Sequence, residues 1–301
     1  MSHELKTILV GTTLELTSDP VVAVAAELAR KSHAELHLFH AHALPVAFFA
    51  GPSGMTTISP DVLETEQTLR RQMVDRQLER VELDPKAVSS VNIRAGAPHR
   101  MLLEAGVQLG ADLLVVGASE HPERRLHGST TDRVLRKATC PVWVVGANHS
   151  KSPKRVVAPV DLSALSEECL LQGLGLLDAV ANGSGPAQAE ALFVLTREER
   201  DSSTQFTAEQ IERMAGEELE RFVERLERGE PRNIDRRVRV GEIRQEILNE
   251  VEFFGADLVV LGTHGRSGFE RFLLGSVATD MASRAPCDVL IIPPAQAAET
   301  D

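Results

Sequence analysis

Gly255-Ala-Asp-Leu-Val-Val-Leu-Gly262-Thr-His-Gly265 decides the fold, and after nine further residues it is answered by Gly275-Ser276. The apolar middle reads as a strand covered on both faces. Val277 to Arg284 reads as a helix. A glycine loop between a strand end and a helix start gathers backbone N–H groups where phosphate oxygens can be held. The stretch predicts a parallel α/β unit with an anion-holding loop.

The same pattern occurs twice. Gly110-Ala-Asp-Leu-Leu-Val-Val-Gly117 matches Gly255 to Gly262, and Arg94-Ala-Gly96 matches Arg239-Val-Gly241 at the same offset. Ala138-Thr-Cys-Pro-Val-Trp-Val-Val145 answers Ala285-Pro-Cys-Asp-Val-Leu-Ile-Ile292, and Lys6 to Val10 answers Lys154 to Ala158. Four matches in one order indicate a duplication. The polar, Pro-terminated stretch Asn148 to Pro153 is the expected linker, so the domains are expected at 1–148 and 153–294.

In each half five short apolar runs alternate with helical patterns, which predicts parallel strands joined by right-handed crossovers. Ligands of such sheets sit beyond the carboxyl ends of the strands. The segment 207–228 carries Ile211, Met214, Ala215, Leu219, Phe222, Val223 and Leu226 as a one-sided stripe.

With 301 residues the chain can hold two cores. Its net charge of -12 argues against a non-specific nucleic-acid binder. No run reaches the ~18 apolar residues of a membrane span, and the segment before Ile8 is too short for a signal-peptide core. Three cysteines without a C-x-x-C pair suit a reducing cytoplasm, so a cytoplasmic location is expected.

Gly262 ends its strand where a side chain would block a ligand, and Gly265 allows positive φ. Gly275 and Ser276 sit at a helix start facing an anion, unless they are a turn glycine and a cap. Arg266 and Arg271 either neutralise phosphate or stay solvated. Asp161, after Val156-Val-Ala-Pro159-Val160, either accepts from a ribose or adenine or caps the next helix. His264 either bonds a ligand or fills the loop. The first half has Thr13 in place of Asp161. Glu120 replaces the second glycine of its loop, leaving Gly117, Gly128 and Ser129. A carboxylate there repels phosphate. His40 and His42 share a strand face without a known metal spacing. The loop from His42 to Pro60, with Phe48 and Phe49, is expected to pack on the other domain, a second chain or its own domain. No P-loop, nucleophile elbow, zincin motif or general base is present in the sequence.

Gly262-x2-Gly265-x9-Gly275-Ser276, Asp161, and the closing Ala285 to Ile292 resemble the universal stress protein family, as a tandem pair spanning nearly the whole chain. The resemblance implies, for each half, a Rossmann-like five-stranded parallel sheet in the order 3-2-1-4-5, with helices on both faces, as in the adenine nucleotide alpha hydrolases. It also implies a pseudo-dimer within the chain. It assigns Pro159, Val160, Asp161, Leu195, Leu261, Gly262, Gly265, Gly275, Ser276 and Val277 to an adenine-nucleotide site in the second half. The implied ligand is ATP, with ADP or AMP as alternatives and Mg2+ as companion. The implied role is regulatory; a slow ATPase and a nucleotide-free adaptor are the rival readings.

Overall fold

The computed structural model describes residues 5–42, 60–118, 129–149, 153–181, 188–228, 233–263 and 274–294. The first half runs β1 (Thr7–Gly11), α1 (Asp19–Ser32), β2 (Glu35–His42), α2 (Pro60–Arg80), β3 (Ser90–Ala95), α3 (Pro98–Leu109), β4 (Leu113–Gly117), α4 (Thr130–Leu135) and β5 (Val142–Val145). The second half runs β6 (Arg155–Val160), α5 (Ala164–Ala181), β7 (Gln188–Leu195), α6 (Arg197–Asp201), α7 (Ala208–Glu227), β8 (Ile234–Val240), α8 (Ile243–Phe254), β9 (Leu258–Gly262), α9 (Ser276–Arg284) and β10 (Asp288–Ile292). The loop bearing Phe48 and Phe49 lies outside the described residues.

Each half forms a parallel sheet in the expected order, and the two sheets are fused. The ten strands run β3-β2-β1-β4-β5-β10-β9-β6-β7-β8, with β5 and β10 antiparallel at the centre. Trp143 pairs with Leu290 in that seam. One apolar layer joins α1, α2, α5 and α7 to one face of the sheet, and the other joins α3, α4, α8 and α9 to the opposite face.

The repeated Gly-Ala-Asp motif has a structural use. Gly110 and Gly255 end α3 and α8 at φ of 61° and 63°, in the left-handed region that glycine enters without strain. Two residues on, the Asp112 carboxylate accepts the N–H groups of Lys6 and Thr7 at 2.8 and 2.9 Å. Asp257 accepts those of Lys154 and Arg155 at 2.9 and 3.0 Å. Each acid therefore starts the first strand of its half. Gly173, deep in α5, allows that helix to lie on β9, since a Cβ there would meet Val260 Cγ1 at 2.4 Å.

Two details depart from the sequence reading. Met214 of α7 is exposed, whereas Ala215, Leu219, Phe222, Val223 and Leu226 are buried. The apolar stripe is thus narrower than its composition implies, because position 214 sits on the shoulder of the helix. The short α6 was not anticipated. It is nucleated by a capping box in which Thr196 Oγ1 accepts from Glu199 N–H and the Glu199 carboxylate accepts from Thr196 N–H.

Buried Asp288 of β10 reaches across the seam. It accepts the Trp143 indole N–H at 2.9 Å and the Gly146 N–H at 2.9 Å. Gly146 passes so close to β10 that a Cβ would sit 2.3 Å from the Cys287 carbonyl oxygen. Asp288→Ala strands two buried donors and should lower stability by about 2–4 kcal/mol. Gly146→Ala should destabilise as well, by forcing the strands apart. Urea unfolding of both variants checks this, and losses below about 1 kcal/mol would contradict the role given to the seam.

Candidate functional site

The crevice opens where the strand order reverses. From β6 the chain runs outward to β7 and β8 on one side, and β9 lies on the other, so the β6/β9 boundary is the switch point of the second half. The sequence keeps this boundary open. Pro159 has no N–H to give to a ladder, and the recorded β6/β9 register covers only Val156 with Leu258 and Val157 with Val259. On the other side β6 stays in register with β7 through Val160 and Phe193. The ends of β6 and β9 thus flank a gap at the carboxyl edge.

Asp161 follows β6 directly. Leu162 turns the chain at φ 65°. The turn aims Asp161 Oδ1 at the Ser163 N–H, 3.0 Å away, and the Ser163 hydroxyl, 2.6 Å away. Ser163 Oγ in turn accepts from Ser166 N–H at 3.1 Å. The other oxygen, Asp161 Oδ2, is buried and has no hydrogen-bond partner among the described residues. A buried carboxylate oxygen left unpaired is costly and fits a donor brought by a ligand. The cap reading and the ligand reading of Asp161 therefore each describe one of its oxygens.

Across the gap, Gly262 ends β9 in register with Ile292, and Leu261 lies buried beside Ile291. The Thr263 N–H donates to the Ile292 carbonyl at 3.1 Å, and the Thr263 carbonyl accepts the Gly275 N–H at 2.7 Å. These bonds hold the two ends of the loop together and set the start of α9. Gly275 caps α9 with no side-chain bond. Ser276 stands exposed in the first turn, with Val277 half-buried behind it. The N–H groups of that turn and the Ser276 hydroxyl make a polar, positive-ended surface. Leu195 closes the β7 side, buried, with its carbonyl taken by Gly241 N–H at 3.0 Å. His264, Gly265, Arg266 and Arg271 lie outside the described residues. The structure thus gathers Pro159, Val160, Asp161, Leu195, Leu261, Gly262, Gly275, Ser276 and Val277 at one edge of the sheet.

The model of the universal stress protein family matches twice, over residues 4–146 and 153–293. The chain belongs to the universal stress protein family. It is 30% identical over 307 residues to a universal stress protein of Mycobacterium tuberculosis strain H37Rv, covering 94% of this chain and 95% of that one. A Mycolicibacterium smegmatis relative is 29% identical over 308 residues, covering 95% of this chain and 97% of its own. Among solved structures, a universal stress protein from Archaeoglobus fulgidus superposes with a TM-score of 0.64 at 15% identity, covering 97% of both chains.

The two universal stress protein units are unlike at their edges. In the first, Thr13 stands for Asp161 after the same turn, with Leu14 at φ 65°. Its hydroxyl oxygen faces Glu15 N–H at 3.4 Å. The neighbouring Thr12 hydroxyl is enclosed by Ser18, Gln77 and the Leu14 N–H, all within 3.0 Å. His42 takes the place of Leu195: its carbonyl accepts Gly96 N–H as that of Leu195 accepts Gly241 N–H. The helix start also differs by one residue. Ser129 is the cap of α4, and its hydroxyl accepts from Asp132 N–H at 3.1 Å. Its counterpart Ser276 lies inside α9 and points outward. Glu120, His121, His127 and Gly128 lie outside the described residues.

His40 donates through Nδ1 to the Thr12 carbonyl at 2.9 Å, and burial pushes its imidazole below the ordinary value. His40 and His42 stack at 6.2 Å. Among the described residues no three His, Cys, Asp or Glu side chains gather to hold a metal. Cys140, Cys169 and Cys287 are free thiols pushed by burial up to about 11, 12 and 12. No described helix is long and apolar enough to cross a membrane.

Sequence reasoning passed over Ser166 and Thr263. The Asp-x-Ser-x-x-Ser spacing after β6 was the available signal for the first; the second acts through its backbone and leaves none. The shifted cap gives a direct check. Ser129→Ala should cost about 1 kcal/mol of stability through the lost cap. Ser276→Ala should leave the urea midpoint unchanged. Equal losses would mean that both serines are caps.

Proposed function

We propose that this universal stress protein holds one adenine nucleotide, ATP, in the β6/β9 crevice of its second half, and that occupancy regulates its partner choice. The observation that carries the reading is Asp161 Oδ2, a buried acceptor without a partner among the described residues, placed after the strand whose ladder Pro159 cuts short. In this reading Oδ2 accepts from the adenosine end. Val160 and Leu195 offer apolar contact to the base. The Gly262 to Ser276 loop and the first turn of α9 take the phosphates, with Mg2+ travelling as their companion.

The two ends of the crevice complement a molecule that carries hydrogen-bond donors at one end and several negative charges at the other. A regulatory output fits a chain in which nucleotide binding biases one of two states.

Native mass spectrometry of the full chain, purified without added ligand and then mixed with ATP and Mg2+, tests the proposal. One added ATP mass per chain is expected. Asp161→Ala should weaken binding tenfold or more, about 1.5–3 kcal/mol for a charge-assisted bond. Its urea midpoint should move little, because the substitution also removes an unpaired buried oxygen. A variant that binds ATP as the parent does would overturn the assignment.

A further inference from the structure

The second half carries a buried acidic pair far from the crevice. Glu190 lies on β7, in register with Val157 of β6 and Asp235 of β8. Glu250 lies on α8. The two are 1% and 0% exposed. Two arginines of β8 flank them. Arg237 Nε is 3.4 Å from Glu190 Oε2 and 3.7 Å from Glu250 Oε1. Arg239 Nε donates to Glu250 Oε2. Both guanidinium groups lie over the exposed Phe253 ring, 5.8 and 5.1 Å from its centre, and stay 42% and 33% exposed. Glu190 Oε1 and Glu250 Oε1 remain buried with no hydrogen-bond partner among the described residues.

Two ionised carboxylates in such a place are unfavourable on two counts. Burial strips each of water, and each repels the other. The arginines stand partly in water, so their attraction is screened. A proton on Glu190 removes the repulsion and turns an unpaired oxygen into a donor. Asp235 stands beside Glu190 in register on β8, and Glu246 of α8 acts on Arg239.

We propose that Glu190, buried against Glu250, holds a proton and acts as a pH-sensitive latch of α8 onto the outer strands β7 and β8. The latch is tight with the proton and slack without it. Burial first, and the Glu250 charge second, push the Glu190 carboxyl from its ordinary 4.5 up to about 7, with Arg237 pulling the other way. A folded-state value above the ordinary one means that the folded chain holds the proton more strongly. This contribution to stability is complete at acid pH, falls between about 4.5 and about 7, and is lost above that range.

Among the described residues the first half lacks this acidic pair. By the repeat, His37 stands where Glu190 does and Ala105 where Glu250 does, and His37 Nδ1 lies 2.7 Å from Ser90 Oγ.

The test is thermal unfolding of the full chain and of Glu190→Gln from about pH 5 to about pH 8. Relative to the parent, the Tm of Glu190→Gln should rise by several degrees across that range, because the variant keeps a neutral group where the parent gains a charge. A difference in Tm that stays constant with pH would overturn the latch. Infrared spectra of the parent chain give a second reading that does not depend on the variant folding. A protonated buried carboxyl band should be present at acid pH and fade through about pH 7; its absence near pH 6 would equally overturn the proposal.

Discussion

The antiparallel contact of β5 with β10 is the constraint on which the rest of the molecule depends. Two copies of one parallel sheet each end in an apolar last strand, and an unpaired last strand is an exposed edge. Pairing them buries Trp143 against Leu290 and makes one ten-stranded sheet. Asp288 makes the seam asymmetric. Its carboxylate accepts from Trp143 and Gly146, whereas the matching position of the first half is Pro141, which has no side-chain acceptor and no N–H. The halves are therefore joined by a device that only the second copy supplies.

Much of the fold was legible because duplication prints every signal twice. The Gly-Ala-Asp repeats marked a helix end, a strand start and a buried strand together. The structure shows why the glycine and the acid recur: the glycine turns at positive φ and the acid holds the first strand. What was not legible depends on contacts remote in sequence. Met214 looks like its buried neighbours until the placement of α7 turns it outward. Glu190 sits within the apolar run of β7, and nothing in that run announces a partner sixty residues later on α8.

The site shows the same division. Local spacing singled out Asp161, Gly262, Gly275 and Ser276 as candidates, because strand ends and helix starts are local features; Pro159 and Val160 came with the family resemblance. Local spacing could not reveal how far the two edges had diverged. Ser129 and Ser276 occupy matching places in the repeat, yet the hydroxyl of Ser129 caps its helix while that of Ser276 faces outward. Thr13 and Asp161 follow the same turn, but the carboxylate has a second oxygen left over after the turn is satisfied. At that turn only the second copy presents a leftover acid oxygen, although the first also keeps the buried His40 Nε2 without a partner among the described residues. That difference is the physical basis for the proposal that a ligand binds in the second half alone.

Calorimetric titration of the full chain with ATP and Mg2+ tests this most directly. The account predicts a stoichiometry near one nucleotide per chain. A stoichiometry near two would show that the first edge is also a site, and the absence of binding would show that the unpaired oxygen of Asp161 serves something other than a nucleotide.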